Sequence, residues 1–339
     1  MANVTPAFVR VNPSYAMPEI LLQYQQASGA FDTLATGDPM VRLGEGDLAV
    51  YIKRFDVRTK VAAGQSAYNS LPSASITANE ISTPTYLMRT RAEYDHHDTA
   101  AFGRWGASIV EGQRLAMRQG IFQQLRNGLL YGFNPANGEG LLNTNGATSL
   151  NLPADMNGNT TISTYDNGAL AIFILSQISA AKTATMQIGM PVRISILTTQ
   201  RILAAIEYQG IVQLTQFQRQ GAGVASVRGT VEAAADWNGD EVTWNADDTL
   251  IGKGAGGTDA IIITIPEVKK PEGRTINTNE FAKLAPGLSA CNLQLMDMAA
   301  PREIPTPLPG GAIDVLSELR ATSGWAVRPE ATRIVSAPF

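Results

Sequence analysis

Gly252-Lys253-Gly254-Ala255-Gly256-Gly257 matches, letter for letter, the glycine spacing that lets a backbone close around a dinucleotide pyrophosphate. That chemistry needs a helix N-terminus next, to receive the phosphates, whereas Ala260-Ile261-Ile262-Ile263-Thr264-Ile265 follows and reads as a buried strand. His96-His97-Asp98 offers two imidazoles, but neighbours on a helix cannot face one metal as an i, i+4 pair can, and the chain holds only these 2 histidines. They read as polar residues at a helix start. Asp236, Asn238, Asp240, Asp247 and Asp248 supply oxygen donors without the twelve-residue loop of a dedicated calcium site, and read as a solvated hairpin. No Gly-X-Ser-X-Gly elbow or histidine-paired nucleophile occurs, and the single cysteine, Cys291, sits among Leu288, Leu293 and Leu295 as a core residue. No catalytic, cofactor-binding or metal-ligating residue is assigned, no cofactor is expected, and the chain does not read as an enzyme.

Composition narrows the class further. With 339 residues, 44% hydrophobic and 17% charged, the chain can bury a substantial core in one elaborated domain or two smaller ones. A formal net charge of -4 is not the footprint of a tight nucleic-acid binder, so the expected partners are proteins. One cysteine excludes a disulfide framework and suits a reducing compartment. The N-terminus has no basic region followed by an apolar segment, and no run of 18 apolar residues occurs, so neither export nor membrane insertion is expected. The Asn-X-Ser/Thr sequences at Asn3 and Asn159 then carry no glycan.

The elements that would position any site are uneven along the chain. Residues 1–46 read as a polar arm with Pro6, Pro13, Pro18 and Pro39, a short helical candidate at 18–26, and scattered anchors Phe8, Val9, Tyr15, Leu21 and Leu22. Residues 47–94 read as an extended β-hairpin: strands at 48–52, 55–61 and 85–94 frame a polar tip over 62–84. After Asn143 the pattern becomes alternating α and β. It gives a helix over 165–186, a strand over 192–198 and a helix over 199–208. Strands follow over 226–235 and 241–251, joined by a tight Asn238-Gly239 turn, with another over 260–265. The proline-rich remainder suggests strands at 293–298, 311–320, 325–329 and 332–335, with a short helix over 315–320 as the alternative there.

The most informative segment is the run without proline from Thr99 to Tyr131, N-capped by Asp98 in this reading. It permits one rod of roughly 33 residues and ~50 Å. Phe102, Trp105, Ile109 and Ala116 share one side of it, and Ile121, Leu125 and Leu129 another, with the crossover between Gly112 and Gly120. The glycines at 103, 106, 112, 120 and 128 each cost about 1 kcal/mol relative to alanine. A kink or two shorter helices would explain the pattern. So would a single helix that serves two packing partners.

The rod closes on Gly128-Leu129-Leu130-Tyr131-Gly132 and then on Gly138-Glu139-Gly140-Leu141-Leu142-Asn143. Together with the arm, the hairpin and the α/β block, this closure resembles the major capsid protein of tailed bacteriophages. The resemblance implies an α+β architecture, the Johnson fold, which encapsulins share. It assigns 1–46 to an N-terminal arm, 47–94 to an extended loop lying over a neighbouring subunit, and 95–159 with 270–320 to a peripheral domain with a spine helix at 98–131. Residues 160–269 and 321–339 then form the axial domain.

By the same resemblance, the chain is a structural protein of the virion that self-assembles in the host cytoplasm. Hexamers and pentamers would form an icosahedral shell around double-stranded DNA, contacted weakly and non-specifically, with no membrane. Portal, scaffolding and decoration proteins are further candidate partners. No scaffolding segment precedes the arm, so scaffolding would be a separate protein or dispensable. Lys53 and Lys60 lie near the extended loop, but nothing marks an asparagine or a glutamate to complete a cross-link, and none is expected. The alternatives are an encapsulin-like nanocompartment with protein cargo, and an α/β enzyme with an unrecognised site.

Overall fold

The computed structural model describes residues 30–33, 43–44, 46–58, 75–104, 106, 108–185, 191–208, 226–268, 292–294 and 302–339. Two sheets organise them, and one helix touches both. The first sheet has the order β1 (Ala49–Arg58), β2 (Ser75–Tyr94), β9 (Ile313–Thr322), β8 (Arg302–Pro307), all antiparallel. β2 changes partner midway: residues 75–84 pair with β1, and 85–94 with β9. The polar tip expected over 62–84 is therefore strand from Ser75 onward. Pro84 fits because it closes the β1 ladder opposite Ala49, where its missing N–H costs least.

The second sheet has five strands in the order β3 (Thr148–Asn151), β11 (Thr332–Ala337), β6 (Asp259–Val268), β4 (Val192–Thr198), β5 (Glu241–Ala246). β4 and β6 are buried on both faces, which is why their sequences are apolar runs without alternation. One face, carrying Ile194, Ile196, Ile261, Ile263 and Val335, packs against α3 (Asn167–Ala184), α4 (Gln200–Tyr208) and α5 (Val227–Trp237). The opposite face, with Leu197, Ala260 and Ile262, packs against Leu129, Leu130, Leu141 and Ala30. A two-residue pairing of β7 (Leu293–Gln294) with β10 (Trp325–Ala326) completes the strands.

The rod expected over 98–131 is two helices, α1 (His96–Gly103) and α2 (Ile109–Leu130). The break lies upstream of the anticipated crossover, around Gly106, whose φ of 71° no helix accommodates. Asp95, not Asp98, is the N-cap: its carboxylate accepts the Asp98 N–H at 2.8 Å, while Asp98 accepts the Asp95 N–H at 3.3 Å, a reciprocal capping box. Within α2 the covered residues are Met117, Ile121, Gly128, Leu129 and Leu130; Ala116, on the first expected side, is exposed, and the covered face turns from Met117 and Ile121 to Leu129 and Leu130 past Gly120. Met117 and Ile121 lie towards the first sheet's end of the helix, where Ile121 joins Met88, Leu319 and Ala321, and the last turn reaches the second sheet.

Three further expectations change. Residues 226–235, expected as strand, form helix α5, capped by the Ser226 hydroxyl accepting the Gly229 N–H at 3.1 Å. The Asn238-Gly239 turn joins that helix to β5, which runs parallel to β4, so no hairpin forms there. Residues 148–151, expected in the peripheral part, pair with β11 and extend the second sheet. Expectations that held include the helix within 165–186, capped by Asp166, and the strand at 192–198. The arm's helical candidate at 18–26, its anchors Phe8 to Leu22, and Cys291 lie outside the described residues.

Lys182 at the end of α3 donates to both carboxylate oxygens of Asp240 at 2.9 and 2.8 Å, with side-chain exposures of 12% and 2%. Asp240 also accepts the Val192 N–H at 3.0 Å. Asp240→Ala would leave a buried ammonium and an orphaned N–H. It should destabilise the chain by about 3–5 kcal/mol in denaturant titration, with Lys182→Met in the same chain recovering part of the loss.

Candidate functional site: the junction at the end of helix α2

Most of the described residues that looked able to do chemistry are engaged structurally. Gly252–Gly257 is a turn that wraps a carboxylate belonging to its own chain: the Gly252 N–H donates to Asp259 Oδ1 at 3.2 Å. The Arg201 guanidinium reaches both oxygens of that carboxylate at 2.7 and 2.6 Å, and the Thr199 hydroxyl donates to it at 3.1 Å. Burial alone would push the Asp259 carboxyl up, but the Arg201 fork and the other donors outweigh it and hold the group below its usual value of 3.8. β6 starts at Asp259, so no helix N-terminus faces the glycines.

The proposed oxygen cluster is dispersed in the same way. Asp240 serves Lys182, Asp247 accepts from the Thr249 N–H and hydroxyl at 2.9 and 2.6 Å, and Asp248 accepts the Gln200 N–H at 2.9 Å. Asp236 and Asn238 are exposed at the end of α5. His96 and His97 stack with ring centroids 3.9 Å apart in the first turn of α1. Among the described residues no group of three His, Cys, Asp or Glu side chains could hold a metal, and no helix is long and apolar enough to cross a membrane.

What the structure concentrates instead is close backbone packing where α2 ends. The Leu141 and Leu142 N–H groups donate to the carbonyls of Leu129 and Leu130 at 2.9 and 3.0 Å, so the Gly-Leu-Leu-Asn segment turns back along the helix terminus and satisfies its last carbonyls. The Asn143 amide donates to the Tyr131 carbonyl at 2.8 Å. On the other side the Gly324 N–H donates to the Gly128 carbonyl at 2.9 Å, and the Gly140 N–H donates to the Gly324 carbonyl at 2.8 Å. Three chain segments thus meet at backbone distance.

No side chain fits there. A Cβ at Gly132 would press into the Glu139 carbonyl, one at Gly140 into the Gly132 nitrogen, and one at Gly324 into the Leu129 carbonyl. Gly132 and Gly140 also adopt φ of 74° and 86°, which disfavours any other residue. At Gly128, an added Cβ would strike the Phe133 ring.

A carboxylate sits in the same junction. Glu139, only 4% exposed, accepts from the Tyr86 hydroxyl at 2.7 Å, the Ser323 hydroxyl at 2.7 Å and the Asn134 N–H at 3.0 Å. Ser323 in turn accepts the Phe133 N–H at 3.1 Å, and the Tyr86 and Phe133 rings pack 4.9 Å apart. One buried anion thereby joins β2, the turn after α2 and the link between β9 and β10 without a counter-charge among these contacts. Burial, then the hydrogen bond to Glu139 and its charge, push the Tyr86 phenol from 10.0 to about 12. The glycine spacing marked this junction in the sequence. Tyr86, Ser323 and Gly324 carried no local signal, because their roles depend on strands brought in from 53 and 184 residues away.

No known family description matches the sequence, and no curated protein matches it. Solved structures do match, over nearly the whole length. The capsid of the Myoviridae phage XM1 aligns with 96% of this chain and 96% of its own at a TM-score of 0.68 and 11% identity. The capsid of an empty GTA particle aligns over 97% and 96% at 0.57 and 9% identity, and that of the cyanophage P-SCSP1u over 96% and 92% at 0.54 and 10%. The chain has the Johnson fold, an α+β architecture, in common with these capsids.

Two outcomes test the junction. Gly140→Ala or Gly324→Ala should cost at least about 2 kcal/mol, whereas Gly112→Ala and Gly120→Ala, with open space around them in α2, should stabilise the subunit by about 0.5–1 kcal/mol in the same titration. The raised phenol means that the folded state holds the Tyr86 proton more tightly than the unfolded state. Its contribution is complete below pH 10.0 and lost as pH rises towards about 12. Alkaline unfolding should show that loss in the parent chain and lack it in Tyr86→Phe.

Proposed function

We propose that this chain is the major capsid protein of a tailed bacteriophage and that its copies form the hexamers and pentamers of an icosahedral shell around double-stranded DNA. The observation that carries this reading is fold likeness over 96% of the chain and 96% of the matched capsid. The fold supplies geometry, and the described residues supply no catalytic constellation to compete with it.

The hairpin supports the same reading on physical grounds. Over residues 49–58 and 75–84 it is a two-stranded ribbon, because β9 pairs only with 85–94. At about 3.3 Å per residue the ribbon extends roughly 33 Å, and an isolated pair of strands is marginal in water. Leu48 and Tyr51 at its base are 75% and 62% exposed. A neighbouring copy would cover such a ribbon, and large interfaces of this kind stabilise both subunits by mass action. Rings of five and six copies use head-to-tail contacts, which need no self-complementary patch.

In this reading the first sheet with α1 and α2 is the peripheral part, and the second sheet with α3, α4 and α5 is the axial part. β3 belongs with the axial sheet. Residues 30–33 of the expected arm lie inside the subunit: Ala30 and Thr33 are fully buried, and the Phe31 ring centroid lies 4.8 Å from that of Phe122 of α2. A truncation that tests the arm should therefore stop before Ala30.

Purified protein should form closed shells by electron microscopy; a persistent monomer would refute the proposal, and shells filled with an enzyme instead of nuclease-protected DNA would favour the encapsulin-like alternative. Deleting residues 1–29 should leave a soluble, folded subunit that sediments as small species. Normal particles from that truncation would contradict an interlocking arm.

A further inference from the structure

The sequence contains six Asn-Gly pairs, at Asn127, Asn137, Asn145, Asn157, Asn167 and Asn238. Such pairs are the places where a chain modifies itself. The backbone nitrogen of the glycine attacks the asparagine Cγ, the N–Cγ bond forms, the Cγ–Nδ2 bond breaks and ammonia leaves. Water then opens the five-membered imide at either carbonyl to give aspartate or isoaspartate. The reaction needs an accessible carboxamide and a glycine N–H that is not held elsewhere.

The fold separates the six on that criterion. Asn127 and Asn167 lie within α2 and α3, where helical geometry keeps the following nitrogen away from the side chain. The glycine N–H after Asn137 donates to the Pro135 carbonyl at 3.0 Å, that after Asn157 to Asp155 at 3.0 Å, and that after Asn238 to Asp236 at 2.9 Å. The Asn238 amide is itself donated to Ala234 at 3.1 Å. At Asn145-Gly146 both groups are exposed, and neither the carboxamide nor the Gly146 N–H has a hydrogen-bond partner among the described residues. Gly146 adopts φ 89° as the third residue of a turn that the Ala147 N–H closes on the Thr144 carbonyl at 3.2 Å, which leaves the Gly146 N–H outside that bond.

We infer that Asn145 is a self-modification site of this protein, converting to aspartate and isoaspartate faster than any other asparagine in the folded chain. Its position couples the reaction to the junction. The Asn145 side chain lies against Gly138, next to the buried Glu139, and the preceding Thr144 hydroxyl donates to the Gly140 carbonyl at 2.8 Å. Conversion sets a second negative charge beside the junction, and the isoaspartate product lengthens the backbone between Thr144 and Gly146. In a particle that persists outside a cell, with no replacement of subunits, this would act as a clock on the closure of α2.

The test is peptide mapping by mass spectrometry of the full chain incubated at mildly alkaline pH, folded and in denaturant. In the folded chain the Asn145 peptide should convert several-fold faster than each of the other five, and in denaturant the six rates should converge. An Asn145→Gln chain should lose the fast conversion, because glutamine cannot close the five-membered ring. Another Asn-Gly leading in the folded chain, or the same spread of rates in both conditions, would overturn the assignment.

Discussion

Backbone packed against backbone at the end of α2 is the constraint on which the rest of the structure depends. Gly132, Gly140 and Gly324 bring three segments closer than any side chain allows, and the carbonyls that a helix terminus leaves open are consumed by Leu141, Leu142 and Gly324. Glu139 adds an anion at the same point, satisfied by three donors from separate segments. Burying it is tolerable only while all three remain in place, so the junction favours one arrangement over looser ones.

From that fixed point α2 sets the relation between the two sheets. Ile121 belongs to the core beneath β2 and β9, and Leu129 and Leu130 belong to the core beneath β4 and β6. The helix is a strut between two layers, and buried charged pairs serve as structural ties. Lys182–Asp240 and Arg201–Asp259 hold helix ends to strand ends, and the Gly252–Gly257 turn grips Asp259 instead of a phosphate. The ribbon of β1 with β2 over residues 49–58 and 75–84 is the part of the described structure that no third strand supports.

Much of this was legible in the residues. The apolar runs at 192–198 and 260–265 announced strands buried on both faces, Asp166 announced the start of α3, and the glycine spacing from Gly128 to Gly140 announced the closure. The failures have physical causes. Val227–Trp237 has a β-branched start that reads as strand, but its alanines and the Ser226 cap make a helix once Val227, Val231 and Ala235 have a common core to face. The unbroken rod failed because proline is not the only helix terminator: Gly106 turns left-handed, and a capping box at Asp95 starts the first piece earlier than the histidines suggested. The partners of Glu139 were hidden because strand pairing over long sequence separation leaves no local trace.

The central claim is that the subunit is completed by its neighbours, with the ribbon of β1 and β2 lying on an adjacent copy. A cryo-EM reconstruction of particles assembled from the full chain tests this most directly. The account predicts rings of five and six copies in which residues 49–58 and 75–84 of one subunit pack on the next. A ribbon folded back on its own subunit, or left uncovered in a finished shell, would contradict it.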